Sequence, residues 1–142
     1  MTTAAPLLTD PGEFLYRQVH PDWVRDGRPS SQAFRPTKKD AEKLSVARSS
    51  LTTAKEAFLL YTAGRQLKSG GTWAVTVEEC GELGLKCFGD PLYSPPEPVA
   101  DPAHCYVDFS SLLSNGKREL SGVMLARVAA VRGCLFGAPT TV

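Results

Sequence analysis

The 142-residue sequence contains no apolar run near the ~20 residues that a membrane-spanning helix requires, so a membrane partner is not expected. It carries no glycine-rich phosphate loop, no heptad pattern and no internal repeat, which sets aside P-loop chemistry, coiled coils and solenoids. It has no charge excess either: 16 Lys and Arg stand against 15 Asp and Glu, a formal net charge of +1. A domain built to follow a phosphate backbone usually shows a clearly basic balance. Histidine is scarce, with two in the whole chain. The first dozen residues, MTTAAPLLTDPG, lack a basic n-region, and only Leu7 and Leu8 stand where a secretory signal has its apolar core. A cytoplasmic setting is therefore expected, with the four cysteines reduced.

What is present fits one folded domain. A chain of this length buries roughly 68–70% of its unfolded surface, enough for a core without disulfide or metal staples. Hydrophobic residues make up 42% and charged residues 22%, an ordinary globular balance. The charges are unevenly placed. Residues 17–48 hold eight Lys and Arg against four acids, whereas residues 78–108 hold seven acids against Lys86 alone. Two solvated surfaces that attract each other in the fold account for this polarity; a functional basic or acidic surface is the alternative.

In chain order, residues 1–12 are small, polar and proline-interrupted, and are expected to form a flexible tail. The folded domain is expected over residues 13–138, with a second tail at 139–142. Residues 14–19 alternate as a strand, and Asp26-Gly27 marks a turn. A short strand is expected at 31–34, a charged connection at 38–43 and a third strand at 44–46. Thr53-Ala54-Lys55-Glu56 is a T-x-x-E capping box opening a helix with Ala57, Phe58, Leu60, Tyr61 and Leu67 on its apolar face, stopped by Ser69-Gly70-Gly71. A buried strand follows at 73–77 and a helical turn at 78–84. Residues 89–102, GDPLYSPPEPVADP, hold five of the 11 prolines and read as a long loop. A strand at 104–109 leads to a second helix at 117–132, with Leu120, Val123, Met124, Val128 and Val131 as its expected buried stripe and Gly133 as its stop. Residues 134–136 read as a last short strand. This order predicts a single α+β domain, a small mixed or antiparallel sheet with two main helices packed against it.

The polar chemistry concentrates between Phe14 and Phe34, in FLYRQVHPDWVRDGRPSSQAF. Arg17 and His20 end one expected strand, and Ser30-Ser31 begin the next; paired, they would line one pocket. A guanidinium fork matches the oxygens of phosphate or carboxylate, and serine hydroxyls add adaptable donors. The structural reading has Arg17 paired with the acidic 78–108 segment, His20 capping a turn and the serines satisfying turn backbone. Arg28, Arg35, Lys38 and Lys39 extend the basic candidate surface. With Arg25, Lys43, Trp23 and Phe34 they also supply the cations and aromatics of a single-strand nucleic-acid surface.

Metal and nucleophile readings are weaker. Cys80 and Cys87 are separated by six residues and His104-Cys105 are neighbours, whereas zinc knuckles space cysteines by two to four and strand neighbours point to opposite faces. No metal and no other cofactor is expected. Cys80 follows a buried strand, but Glu78 and Glu79 beside it raise rather than lower a thiol pKa. The reactivity of Cys80, Cys87, Cys105 and Cys134 stays open at this level.

The order of Arg17 or His20, then Ser30 or Ser31, then Glu78 or Glu79 after a buried strand resembles NAD-consuming ADP-ribosyltransferase-like and RES-type domains. That resemblance implies an arginine or histidine on the cofactor phosphate or ribose, a serine on the nicotinamide side and a glutamate stabilising an oxocarbenium-like centre. The chain lacks the spaced tyrosine of those domains. Its whole length, especially LYRQVHP, GRPSSQAF, KLSV and WAVTVEEC, also resembles a set of small uncharacterised bacterial proteins, which implies a bacterial cytosolic setting and no activity. The expected function is an interaction or regulatory protein without catalysis, its protein partner meeting the basic 17–48 segment and the 89–102 loop. The alternatives are a nucleotide- or NAD-binding enzyme using Arg17, His20, Ser31 and Glu79, and a single-stranded nucleic-acid binder.

Overall fold

The computed structural model describes residues 6–37 and 42–137. Five strands form one antiparallel sheet: β1 (Phe14–Gln18), β4 (Lys43–Arg48), β5 (Thr72–Thr76), β6 (Lys86–Gly89) and β7 (His104–Asp108), in the order β5-β1-β4-β7-β6. Two further strands, β2 (Val24–Arg25) and β3 (Arg28–Pro29), make a small hairpin. Its tip is Asp26-Gly27 with φ of 54° and 73°, the left-handed pair that a two-residue hairpin turn needs.

Alternation sorts the sheet into two faces. Leu15, Leu44, Val46, Trp73, Val75, Cys87, Cys105 and Val107 point into the main core and are essentially excluded from solvent. Against them pack the short 3-10 helix Ser31–Phe34 and α3 (Asn115–Arg132), through Phe34, Leu125, Ala126 and Ala129. The opposite face, with Tyr16, Gln18, Ser45, Ala47 and His104, is covered by α1 (Ala54–Leu59) and the π-helical turn Leu60–Gly64 that continues it. Layered helices on both faces of an antiparallel sheet make this the α+β domain expected.

Several elements differ from the sequence reading. Residues 31–34 are a 3-10 helix, because Pro29 and Ser30 turn the chain back over the core, where Ala33 and Phe34 become fully buried. The first helix loses its α-helical ladder at Leu59, and Leu67, assigned to its apolar face, is exposed. Thr53 does accept from the Glu56 backbone N–H at 3.1 Å. The complete capping box lies elsewhere, at the start of α2 (Val77–Glu82), where Thr76 and Glu79 satisfy each other's backbone N–H groups at 3.1 and 2.7 Å.

The largest difference is the face of α3. Of the expected stripe, Leu120, Val123, Met124 and Val131 are exposed and Val128 is half-buried, whereas the buried residues are Ser121, Gly122, Leu125, Ala126 and Ala129. Close approach explains the inversion: a Cβ on Gly122 would lie 2.9 Å from the Ser31 carbonyl oxygen. Only the small-residue side of α3 fits against the 31–34 backbone.

Residues 6–8, expected as tail, lie along β6. Leu8 donates to the Cys87 carbonyl at 2.8 Å and is 6% exposed, and Gly89 donates to the Pro6 carbonyl at 2.8 Å. On the other side Thr72 and Leu135 close the β5 edge with bonds of 2.9 and 2.8 Å, the first to Phe136. Both sheet edges are thereby covered, which protects them from pairing with another chain. The tails at residues 1–5 and 139–142 lie outside the described residues. The 89–102 loop is pinched at its base by reciprocal backbone bonds of 2.9 Å between Leu92 and Asp101. Glu97 ties it to Arg65 at 3.5 Å.

Candidate functional site

Each described member of the N-terminal candidate set has a local structural role. Arg17 points to the core side of the sheet, where Nε donates to the Ala33 carbonyl at 2.7 Å and Nη1 to the Ser45 carbonyl at 3.0 Å. Carbonyls of the fold, not the acidic 78–108 segment, meet its guanidinium in these bonds. His20 is the N-cap of the 3-10 turn Pro21–Trp23, its Nδ1 accepting the Asp22 N–H at 3.1 Å. Ser30 caps the 31–34 helix by position, with its hydroxyl buried and without a hydrogen-bond partner. Ser31 supplies the carbonyl against which Gly122 packs.

Glu79 is held by the Thr76 backbone and by Arg132, at 2.9 Å from Nη2. Burial pushes its carboxyl up, but the Arg132 and Thr76 hydrogen bonds outweigh it, so the net pKa is lowered. The register separates these groups. Gln18 opposes Thr72 at one end of the β1–β5 ladder and Phe14 opposes Thr76 at the other, so His20 and Glu79 leave from opposite ends. Arg17 is brought to the Ala33 carbonyl, two residues on from Ser31, and Glu79 is held elsewhere by Thr76 and Arg132.

The basic surface is also divided. Arg35 pairs with Glu119 at 3.4 Å, and Lys43 lies 4.8 Å over the Tyr106 ring. Arg25 and Arg28 sit opposite each other on the small hairpin, exposed. Lys38 and Lys39 lie outside the described residues. Where the basic and acidic segments do meet is the β4–β7 ladder, which sets Lys43 opposite Asp108.

Three of the four cysteines are core residues. The hydrogen bond with Cys87 first, and then burial, hold the Cys80 thiol far above the ordinary thiol range, and burial raises Cys105 likewise. Among the described residues no group of three or more His, Cys, Asp or Glu is placed to hold a metal ion, and no helix is long and apolar enough to cross a membrane.

Two features stand apart from this structural chemistry. The first is a cavity of about 60 Å³ on the α1 side of the sheet, lined among others by Tyr16, Gln18, Ala47, Ala57, Tyr61 and His104. Tyr16, Ala47 and His104 form one row across β1, β4 and β7, with the small Ala47 side chain between the two rings. The π turn forms part of the opposite wall with Leu60 and Tyr61; such turns recur at functional sites.

The polar groups of this cavity are individually fixed. Gln18 Oε1 accepts from Ser69 Oγ at 2.8 Å and from Thr72 Oγ1 at 2.9 Å. Thr72 is fully buried, and its hydroxyl pairs with the Gln18 side-chain amide. Gln18 Nε2 is buried with no hydrogen-bond partner. A dry donor of this kind costs about 1–3 kcal/mol, and a group left so in a native fold calls for an explanation. His104 Nδ1 lies 2.9 Å from the Asp90 carbonyl, which only accepts, so Nδ1 carries a proton.

The second feature is the outer face of α3. Leu120, Val123, Met124 and Val131 are exposed there, Val131 at 85% and Leu120 at 61%. Leu113, just before the helix, is 90% exposed. Lys117 and Arg127 are exposed on the same helix. Helical periodicity does show this stripe in the sequence, but periodicity alone reads it as the buried side.

In comparisons with known proteins, no family model, no curated protein and no solved structure matches the chain. The fold and the site define a single-domain α+β protein with a small half-open cavity and an apolar outer helix.

Proposed function

We propose that this is a non-catalytic interaction protein of the bacterial cytoplasm, and that α3 docks an acidic, amphipathic segment of a partner protein. The observation that carries this reading is the exposed apolar stripe Leu120, Val123, Met124 and Val131. An interaction face made of such residues gains free energy by leaving water, roughly 25 cal/mol per Å² of apolar area buried.

Charge selects the occupant. Lys117 and Arg127 are exposed on α3, so a partner with carboxylates flanking its apolar side chains complements the face. A second copy does not. Two-fold antiparallel pairing centred midway between Leu120 and Val131 would set the two Arg127 positions about 4.5 Å apart along the axis, at a rise of 1.5 Å per residue. Like charges at that separation oppose the pairing.

The enzymatic reading has less support, because Arg17, His20, Ser31 and Glu79 do not share one concave site and the described contacts of Arg17, His20 and Glu79 serve the fold. The nucleic-acid reading is weakened by the pairing of Arg35 and the stacking of Lys43.

The test is a titration of ¹⁵N-labelled protein with an acidic amphipathic peptide, read by amide shifts, together with sedimentation of the protein alone. Shifts confined to 113–131, lost in a Met124→Glu/Val131→Glu variant, support the reading. Absence of shifts at millimolar peptide, or a dimer abolished by the same two substitutions, overturns it.

A further inference from the structure

The charged residues of α3 fall into two groups. Arg118, Glu119 and Arg132 are paired with Glu42, Arg35 and Glu79 of the domain body. The side chains of Lys117 and Arg127 are exposed and make no hydrogen bond or ion pair among the described residues. Those two cations share a stripe with three exposed apolar residues, in the order Lys117, Leu120, Met124, Arg127 and Val131. The spacing is 3-4-3-4, that of an a/d seam between two helices, with Lys117, Met124 and Val131 in one row and Leu120 and Arg127 in the other. We infer that, on the docking face proposed above, the partner segment is itself an α-helix lying along α3, and that it reads acid-x2-apolar-x3-apolar-x2-acid, its two carboxylates meeting Lys117 and Arg127.

A seam of this spacing suits a helix and not a strand. Two helices crossing at about 20° stay in step along their contact, because both surfaces repeat at about 3.5 residues. Lys117 and Arg127 are about 15 Å apart along the axis, at a rise of 1.5 Å per residue. An extended chain places same-face side chains about 6.6 Å apart, so its three steps cover about 20 Å and overrun that span by about 5 Å. The stripe is too short, and too interrupted by cations, to show in the sequence as a coiled coil, which needs three to four apolar heptads. Its other side is already fixed to the domain through Gly122, Leu125 and Ala129, so α3 presents a held half of a helix pair.

Charge places the acids. In a parallel pairing a faces a and d faces d; in an antiparallel pairing a faces d. Either way the residues that face Lys117 and Arg127 stand ten apart in the partner, with the two apolar residues between them facing Leu120 and Met124, so the motif holds for both directions. A second copy laid parallel would set Lys117 on Lys117 and Arg127 on Arg127, which repel.

The probes are three synthetic peptides, each titrated into ¹⁵N-labelled full-length protein. The first carries Glu, Leu, Leu and Glu in the inferred spacing on an alanine- and glutamine-rich helix. The second replaces its glutamates with lysines, and the third is an extended control with Glu, Leu, Leu and Glu at every second position. The glutamate helix should bind saturably with a Kd on the order of 100 µM, move the amides of residues 117–131 and gain helical circular dichroism on binding. The lysine helix and the extended control should each bind at least about tenfold more weakly. Lys117→Glu/Arg127→Glu, at two exposed positions and checked for an unchanged unfolding midpoint, should reverse the preference: about tenfold weaker for the glutamate helix and about tenfold tighter for the lysine helix. An extended control that binds as tightly as the glutamate helix, a bound glutamate peptide that gains no helicity, or an unreversed preference in the folded variant would each overturn the helical partner, while shifts within 113–131 would leave the docking face standing. Silence of all three peptides at millimolar concentration would overturn both.

Discussion

Arg132, the last residue of α3, grips Glu79 at the start of α2 with two hydrogen bonds, Nη1 to Oε1 at 3.1 Å and Nη2 to Oε2 at 2.9 Å. The same Nη1 reaches the Ala74 carbonyl at 2.8 Å, and the guanidinium stacks 5.1 Å from the Phe14 ring. One side chain thus ties the end of one helix to a strand and to the cap of another helix. Arg132→Ala should lower the stability of the protein by about 1–3 kcal/mol. Glu79→Gln, which can still complete the cap, should cost less, and a double-mutant cycle read by urea unfolding should show coupling between the two.

The inverted face of α3 makes a prediction opposite to the sequence pattern. Gly122→Ala places a methyl group 2.9 Å from the Ser31 carbonyl oxygen and should destabilise by about 1–3 kcal/mol despite the better helix propensity of alanine. Leu120→Ser, on an exposed position, should change the stability by no more than about 1 kcal/mol. The ordering of the two midpoints in thermal unfolding decides which face is buried.

Glu13 predicts how the protein responds to acid. Its carboxylate accepts from Arg48 at 3.1 Å twice and from the Ser50 hydroxyl at 2.6 Å. Burial alone would raise its pKa, but these bonds prevail and lower it from the ordinary carboxylate value, as they do at Glu79. A lowered folded-state pKa means that the unfolded chain binds the proton more readily. The stabilisation is therefore complete above the unfolded value of about 4.5 and is lost as pH falls through the folded one. Denaturation midpoints should drop below pH 4.5, and Glu13→Gln should lower stability at neutral pH while flattening that slope.

Thiol accessibility offers a check of the core. Cys80, Cys87 and Cys105 are buried, whereas Cys134 is half-buried with its pKa raised by desolvation. A thiol reagent should label at most Cys134 slowly in the folded state and all four only in denaturant. Rapid native labelling at Cys80 would contradict the packing of α2 on the sheet.

Much of the architecture was legible because it depends on near neighbours. Alternation marked β1, β-branched and aromatic residues marked β5, Thr53 with Glu56 marked the start of α1, and Asp26-Gly27 marked a turn, since each signal acts within a few residues. The proline-rich character of residues 89–102 likewise set a loop there. The N-terminal polar residues were visible as types, but their use was not, because Arg17 finds its carbonyl partners 16 and 28 residues away.

By itself the sequence determined the class of the domain, an α+β fold with a small mixed or antiparallel sheet and two main helices, because apolar periodicity and caps are local properties of the chain. Tertiary structure alone decided three things. It chose which side of α3 is buried, because close approach to the 31–34 backbone admits Gly122 and excludes a larger side chain. It turned Glu79 into a structural clasp, because Arg132 arrives from 53 residues further on. And it left Gln18 Nε2 buried without a partner, because the Ser69 and Thr72 hydroxyls that meet its amide come from 51 and 54 residues further on.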